Sequence, residues 1–523
     1  MNDLLNPRSV RSGMPRRLKL AAASLLLGSL GACVVGPDFV RPEVKAPDSW
    51  ATHQHAETAS HPVDHSIEPQ WWTLFGDSQL TELEQRAVAS NLDIRIAATR
   101  LQESRWQRRI IGSAELPSIG ANANYQRSGA SNNGLMSLLG VTPGASASEM
   151  ANGTGYGNNG IQGADASAPF NLYQYGFDAS WELDLWGRTR RSVEAANALT
   201  ESAAEIRHGV ILAVLTETAA DYVQLRATQA TLATVKETLE LARHSLDLTH
   251  KRQAEGVATR LEVSEAAAQV DAIDARLPPL EAQESQLINA LSLLVATQPG
   301  TLASELQTAK PVPPVPAEVP IGLPSELARR RPDIRQAEAQ LHAATANIGV
   351  AKADFYPNVT LSGSFGMQSL SFATLGTWAS RQFAIGPTLS LPMFEGGRLT
   401  GVLRLRETRQ QEAALQYQKT VLNAWHEIDD AMIAYDAQQR RRTSMGRALA
   451  HNQAAYDAAV SRYKAGATTF LDVLVVQQAL LDTQTEWVRS NAEVSFTVIR
   501  LFKALGGGWD QVAALPSHTT AGS

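Results

Sequence analysis

The sequence predicts an α+β chain of two tandem structural repeats, each contributing two barrel-type strands and long coiled helices. Three observations predict it: an internal duplication in fixed register, two proline-free stretches of helical spacing, and four segments of strict apolar alternation. Asp93, Ile94, Arg95, Ala97, Leu101 and Pro117 recur as Asp333, Ile334, Arg335, Ala337, Leu341 and Pro357, at a constant offset of 240 residues (333 − 93). Arg252, Gly256, Thr259, Leu261, Val263 and Leu291 recur as Arg462, Gly466, Thr469, Leu471, Val473 and Leu501, at an offset of 210 (466 − 256). The halves differ by about one long loop. Residues 76–310 and 325–507 therefore form two copies of one unit, joined by the proline-rich linker 311–324, with residues 508–523 as a tail.

The elements follow in order. Arg8, Arg11, Arg16, Arg17 and Lys19 precede the apolar stretch Leu20 to Leu30, which marks residues 1–32 as a secretory signal. It ends in Leu30-Gly31-Ala32-Cys33, which resembles a bacterial lipobox, so Cys33 is expected to carry a covalent diacylglycerol. An ordinary signal peptide ahead of a buried free thiol is the alternative. Val34 follows, not the aspartate that commonly retains lipoproteins in the inner membrane. Residues 33–75 then form an acylated tether. It holds His53, His55, His61 and His65 beside Glu57 and Asp64. Imidazoles at that density can bind a transition metal, and a polar tether explains the same composition.

In the first repeat a helix is expected over Leu80 to Ala114, ending before Pro117 because the residue preceding proline disfavours helix. Ile119, Ala121, Ala123 and Tyr125 alternate as a strand. The Gly/Asn-rich loop Ser128 to Pro169 follows, and Phe177, Ala179, Trp181, Leu183 and Leu185 alternate again. Arg188 to about Ala254 lacks proline. In the second repeat Val359 to Phe365 and Ile385 to Met393 alternate, and Leu399 to Tyr463 lacks proline. Such helices of about 65 residues would each be roughly 100 Å long. Val421, Trp425, Ile428, Met432 and Tyr435 step by 4, 3, 4, 3, the spacing of a coiled-coil seam. Ile211, Leu215, Tyr222 and Leu225 repeat the pattern.

Several function classes are excluded. A formal charge of −6, from 46 basic and 52 acidic side chains among 523 residues, is not a nucleic-acid footprint. One cysteine excludes a disulfide framework and a Cys-based zinc ribbon. No run of 18 apolar residues exists, so no helix spans a bilayer. Gly155-Tyr156-Gly157-Asn158-Asn159-Gly160 matches a dinucleotide fingerprint in letters but sits in the low-complexity loop. His426-Glu427 has Asp430 where a zincin needs its second histidine. No convergent acid, base or nucleophile set appears, so an enzyme is not expected.

The strands ask for partners. In lipid only helices and closed barrels satisfy every backbone group, and four strands are too few to close. A dimer supplies eight strands and a trimer twelve. About eight fill their own interior, so conduction favours the trimer. A soluble hairpin pair packed on the helices is the alternative.

Cys33-Val34-Val35-Gly36-Pro37-Asp38-Phe39 with Pro42, Trp71-Trp72 with Phe75, and Arg330-Arg331-Pro332-Asp333-Ile334 together carry a family resemblance. Ile348-Gly349-Val350-Ala351-Lys352-Ala353 with Pro357, Leu391-Pro392-Met393-Phe394 with Gly396-Gly397, and Arg462-Tyr463 with Gly466 and Leu471-Asp472-Val473-Leu474 extend it. The chain resembles the outer-membrane factor lipoproteins of tripartite efflux pumps, the NodT family of the TolC superfamily. That resemblance implies a homotrimer in the bacterial outer membrane, with a 12-stranded β-barrel continuous with a periplasmic α-helical barrel. It implies a periplasmic adaptor (membrane fusion) protein and an inner-membrane pump of the RND type as partners, with no resident cofactor. It also implies a passive exit channel for small toxic compounds; heavy-metal cation efflux and type I protein secretion are the alternatives.

Gly256 and Gly466, with Arg252 and Arg462, then mark the periplasmic tip turns and the adaptor contact. Tyr463, Leu471 and Asp472 match the family motif and are the candidate gate. Asp472 from three subunits would resist closure unless paired, for example by Arg462; a solvated helix-end carboxylate is the other reading. Some relatives carry an acid one turn on, where this chain has Val475. The first tip is expected to lack counterparts of Tyr463 and Asp472.

Overall fold

A break at Asn91 divides the first expected helix in two: α1 (Ser78–Ser90) and α2 (Leu92–Gly112). Asn91 turns its chain to ψ 133. Its carboxamide oxygen accepts from the Asp93 and Ile94 backbone N–H groups (2.8 and 3.2 Å), and its amide donates to the Leu294 carbonyl (2.9 Å). This is a helix N-cap inside an apolar run, a local competition that periodicity does not reveal. The computed structural model describes residues 34–43, 60–63, 65–129, 169–322 and 330–510. The signal, Cys33, His53, His55, Glu57, Asp64, the Gly155–Gly160 motif and residues 511–523 lie outside the described residues.

The chain divides into two compact units, and each draws on both repeats. The first has its described parts within Met1–Asp38, Gln107–Ala196 and Thr345–Thr408. It is built on a four-stranded antiparallel sheet in the order β2 (Ser118–Ser128), β3 (Phe170–Leu183), β5 (Asn358–Ser369), β6 (Arg381–Ser390). β6 starts and stops earlier than its alternation suggests, so Leu391 and Met393 fall beyond it. Pro387 sits within β6 opposite Leu361 of β5.

The register sorts side chains by face, since neighbours along a strand point opposite ways. One row reads Ala121, Phe177, Phe365, Phe383, and the next Ile119, Ala179, Gly363, Ile385. Tyr125 with Tyr173 and Trp181 with Leu361 lie on the same side. The opposite face reads Gly120, Asp178, Ser364, Ala384, then Asn122, Gly176, Gly366, Gln382. One face is apolar and aromatic, the other small and polar. Among the described residues nothing covers the apolar face: Phe383 and Ile385 are 72% and 79% exposed. Among the described residues nothing pairs with the outer edges of β2 and β6, 11 and 10 residues long, which leaves a template for further strands.

Helices join the sheet at one end only. Asp184, just past β3, accepts from the Thr189 and Arg190 backbone N–H groups (3.1 and 2.9 Å) and so starts α3 (Arg188–Ala254) directly off the strand. A strap of residues 34–38 crosses this junction. The Val35 N–H donates to the Trp186 carbonyl (3.1 Å), and Arg191 pairs with Asp38 at 2.7 Å. Gly36 lies so close to Gly349 of α7 (Pro332–Ala353) that a Cβ would collide with the Gly349 Cα, and its φ is +105. Gly36→Ala is therefore expected to dislodge the strap, at a cost of about 1–3 kcal/mol. Accelerated chymotryptic cleavage after Phe39 would report it, and unchanged cleavage would show that the contact yields.

The second unit has its described parts within Phe39–Trp106, Asn197–Ala344 and Arg409–Ser523, and it is mostly helical. α4 (Arg260–Asp274) and α5 (Leu277–Leu294) return from the first long helix, α6 (Ala303–Leu306) is a single turn, and α8 (Arg398–Lys464) and α9 (Phe470–Leu505) form the second long pair. The expected seam is buried: Ile211, Leu215, Tyr222 and Leu225 of α3 and Ile428, Met432 and Tyr435 of α8 all join the main core. Trp71 stacks on Phe502 at 5.1 Å there.

Part of the tether and part of the linker are ordered against this core. β1 (His61–Val63) pairs in parallel with β4 (Glu318–Pro320). Ser60 receives the Tyr435 hydroxyl and itself donates to the Pro316 carbonyl. The Ser60 N–H adds a bond to Gln439 (3.1 Å). A short strand that carries proline and a polar neighbour gives no periodic signal, so neither segment reads as structure in the sequence.

Candidate functional site: the helix-hairpin tips

Both long helices end in the same device. After α3, the Gly256 N–H donates to the Gln253 carbonyl (2.9 Å) and the Val257 N–H to the Arg252 carbonyl (2.9 Å). After α8, Gly466 donates to Tyr463 (3.0 Å) and Ala467 to Arg462 (2.9 Å). These paired bonds close the orphan carbonyls of a helix end and require a left-handed residue between them. Gly256 and Gly466 supply it with φ of +77 and +73. A Cβ at either would meet nothing within 4 Å, so the need for glycine is purely backbone.

Three residues on, the next helix begins with a reciprocal cap. Thr259 accepts from the Glu262 N–H (3.2 Å), and Glu262 accepts from the Thr259 N–H (2.6 Å). Thr469 and Asp472 do the same at 3.4 and 3.0 Å. The Asp472 carboxylate also receives the Thr468 and Thr469 hydroxyls at 2.5 and 2.7 Å. These hydrogen bonds hold it below the usual carboxylate range, with Arg462 adding only longer-range attraction. The Arg462 guanidinium reaches the Ala467 carbonyl at 3.5 Å instead. Asp472 thus closes a helix N-terminus, a role in which its charge is already compensated. The first tip has the equivalent acid: Glu262 stands where the 210-residue offset maps Asp472, contrary to the expectation that it had none.

Tyr463 links the two tips. The Arg252 guanidinium lies over its ring at 4.7 Å, and the Phe470 ring meets it at 5.4 Å. Burial pushes the phenol pKa up, Arg252 opposes, and Glu262 adds to the rise. Arg252 comes from the first tip, Tyr463 and Phe470 from the second, so one cation–π contact joins both turns within a chain. Phe470 is buried, and the motif reading passes over it; its position next to the Thr469 cap is the available signal. Leu471 points outward at 53% exposure, and Val257, Leu261 and Val475 are exposed as well. Behind the tips, Gln269 of α4 donates to Gln478 of α9 (3.2 Å), and Arg276, between α4 and α5, pairs with Asp482 of α9 (3.0 Å).

The described histidines of the tether do not converge. His61 is exposed in β1, where its N–H donates to the Ala317 carbonyl (3.0 Å), and the exposed His65 accepts from the Gly322 N–H (3.1 Å) through its own carbonyl. Among the described residues no group of three His, Cys, Asp or Glu side chains is placed to hold a metal. No described helix is long and apolar enough to cross a membrane.

Comparison with known proteins agrees with this geometry. A family model described as outer membrane efflux protein matches residues 83–297 and 323–507, one match on each repeat. The toluene efflux pump outer membrane protein TtgF of Pseudomonas putida is 30% identical over 93% of this chain and 96% of its own length. The cation efflux system protein CusC of Escherichia coli is 27% identical over 92% of this chain and 97% of its own. The solved structure of the outer-membrane channel OprN superposes with a TM-score of 0.79 at 30% identity, covering 91% of this chain and all of that one.

Proposed function

The chain belongs to the outer membrane efflux protein family, and from that premise we propose that it is the passive exit duct of a tripartite, RND-type efflux assembly for small apolar toxic compounds. The observation that carries this reading is the sheet with one apolar and one polar face and two free edges. Such a sheet has no stable place in water or in lipid as a single copy. Three copies joined edge to edge give twelve strands, with the aromatic face toward lipid and the glycine- and serine-rich face toward a wet lumen.

The helices support the same assembly. Leu199 with Ile206, Leu241 with Leu248, and Leu415 with Leu422 are exposed apolar pairs at heptad spacing, stripes that further copies of the chain would cover. The tips then meet the adaptor and pump, with Leu261, Leu471 and Val475 as the apolar contact and the Arg252–Tyr463 contact as part of the closed state.

The name of TtgF supports an apolar cargo, and that of CusC keeps metal cations as the second reading. Expressing the chain with its partner pump and adaptor in cells that lack other exit channels separates them. Restored export of a lipophilic dye is expected. Restored tolerance of transition-metal cations without dye export would shift the cargo to cations, and neither effect in the presence of outer-membrane protein would refute the duct.

Lipid anchoring at Cys33 belongs to the same proposal. The residues that follow it are strapped to the helix-bearing end of the sheet through Val35 and Trp186, which supports an anchor near the inner rim of the barrel. Cys33→Ser is expected to abolish incorporation of labelled palmitate while the trimer persists, because the barrel supplies most of the membrane contact. Equal labelling of the variant would refute acylation at this residue.

A further inference from the structure

The apolar face of the sheet carries a charge where a lipid-facing wall should have none. Arg381 pairs with Met367, which pairs with Tyr175, so Arg381 shares the face of Phe383, Phe365 and Phe177. It opens β6 at the loop-bearing end of the sheet, the end away from the helix junctions. Its guanidinium lies over the Trp378 ring at 4.5 Å and donates to the Trp378 carbonyl at 2.8 Å. Among the described residues no carboxylate lies within ion-pair distance of it. Directly beside it runs an open groove of about 550 Å³ along Phe177, Phe365, Phe383 and Ile385.

We propose that Arg381 and Trp378 bind the phosphate of an outer-leaflet lipid whose acyl chain lies in the groove over Phe177, Phe365 and Phe383. Physical chemistry limits the alternatives. A cation on the lipid face costs about 2–4 kcal/mol at the bilayer midplane but about 0–1 near the interface, so Arg381 belongs at headgroup level. Trp378 and the nearby Tyr125, Tyr173 and Tyr175 are the amphipathic rings that settle at that depth. Stacking on Trp378 fixes the guanidinium plane and leaves its remaining N–H groups free for a bidentate phosphate contact, a geometry that lysine cannot reproduce. Arg127 lies on the same face and at the same end of β2, two residues past Tyr125, which makes the rim more positive. The loop-bearing end lies opposite the helices that enter the periplasm, so the lipid available there is the phosphorylated, multi-acyl glycolipid of the outer leaflet.

The inference rests on the sheet being the lipid-facing wall of the trimer, and the test separates the two. Full-length trimer is purified from outer membranes, delipidated in detergent, and titrated with lipid A, with fully dephosphorylated lipid A, and with inorganic phosphate; bound lipid is counted by native mass spectrometry. Lipid A is expected to bind, with the dephosphorylated form weaker by about tenfold and inorganic phosphate at millimolar concentration failing to displace it. Arg381→Gln should lose about the same factor, Arg381→Lys should recover it only in part, and both should still yield trimer in outer-membrane fractions. Equal binding by wild type and Arg381→Gln, or by the two lipid forms, would overturn the site while leaving the barrel standing. Displacement by inorganic phosphate alone would reduce it to an anion site and equally overturn the lipid assignment. Failure of wild type to form an outer-membrane trimer would instead remove the wall itself.

Discussion

Gly466→Asp is expected to give a channel that folds, inserts and does not export. The residue sits at φ +73 between two helix-closing hydrogen bonds, and open space surrounds it. A side chain there therefore strains the backbone without a clash, by about 1–2 kcal/mol per subunit. It also adds a charge among the exposed Leu471 and Val475, where the adaptor is proposed to dock. The sheet has its own hydrogen bonding and draws nothing from this turn. The readouts are heat-resistant trimer in outer-membrane fractions and dye accumulation in cells without other exit channels. Normal export would refute the tip assignment, and loss of trimer would make the turn a folding element. Gly256→Asp should act in the same direction. Its tip has its own capping acid in Glu262, so the asymmetry left between the two turns is the Tyr463–Phe470 ring pair and the Thr468 hydroxyl, where the first tip has Gln253, Arg260 and Ala258.

Phe365→Arg is expected to abolish the outer-membrane trimer, whereas Ser364→Arg, one residue away, should leave it assembled. Phe365 lies mid-row on the apolar face between Phe177 and Phe383, and Ser364 lies on the polar face opposite Asp178. An added cation on the lipid side, one row below the rim where Arg381 sits, costs up to about 2–4 kcal/mol per copy, and three copies multiply the cost. The same cation on the lumen side meets water and would act on conductance instead. Heat-modifiable migration of trimer on a gel distinguishes the two. Equal tolerance of both variants would mean that neither face meets lipid.

The elements legible in the sequence are those set by repetition over many residues. Freedom from proline, with a glycine turn after each, reads as long helices over Arg188 to about Ala254 and Leu399 to Tyr463, within a residue of the observed limits, and alternation locates all four strands of the sheet. Composition bounds the Gly/Asn-rich loop at Ser128 and Pro169, where β2 ends and β3 begins a residue later. Features set by one side chain are not legible. Asn91 interrupts an amphipathic run by outcompeting the backbone for two N–H groups, and β1 and β4 depend on each other across the chain. Asp472 reads as a free charge because its neighbours are threonines, yet Thr469 three residues before an acid is itself a capping signature. Applying the 210-residue offset to Asp472 points to Glu262 directly. The faces of the sheet need the cross-strand register, since Phe177, Phe365 and Phe383 form a row only once their partners are known.

Four strands per chain with two free edges need a ring of three chains to close. The mass of the intact particle, extracted from outer membranes in detergent and measured by native mass spectrometry, tests it most directly. Three copies of the chain are expected, each contributing β2, β3, β5 and β6 to a twelve-stranded wall. A particle of two copies, with eight strands and an interior filled by side chains, or a single copy stable in water, would contradict it.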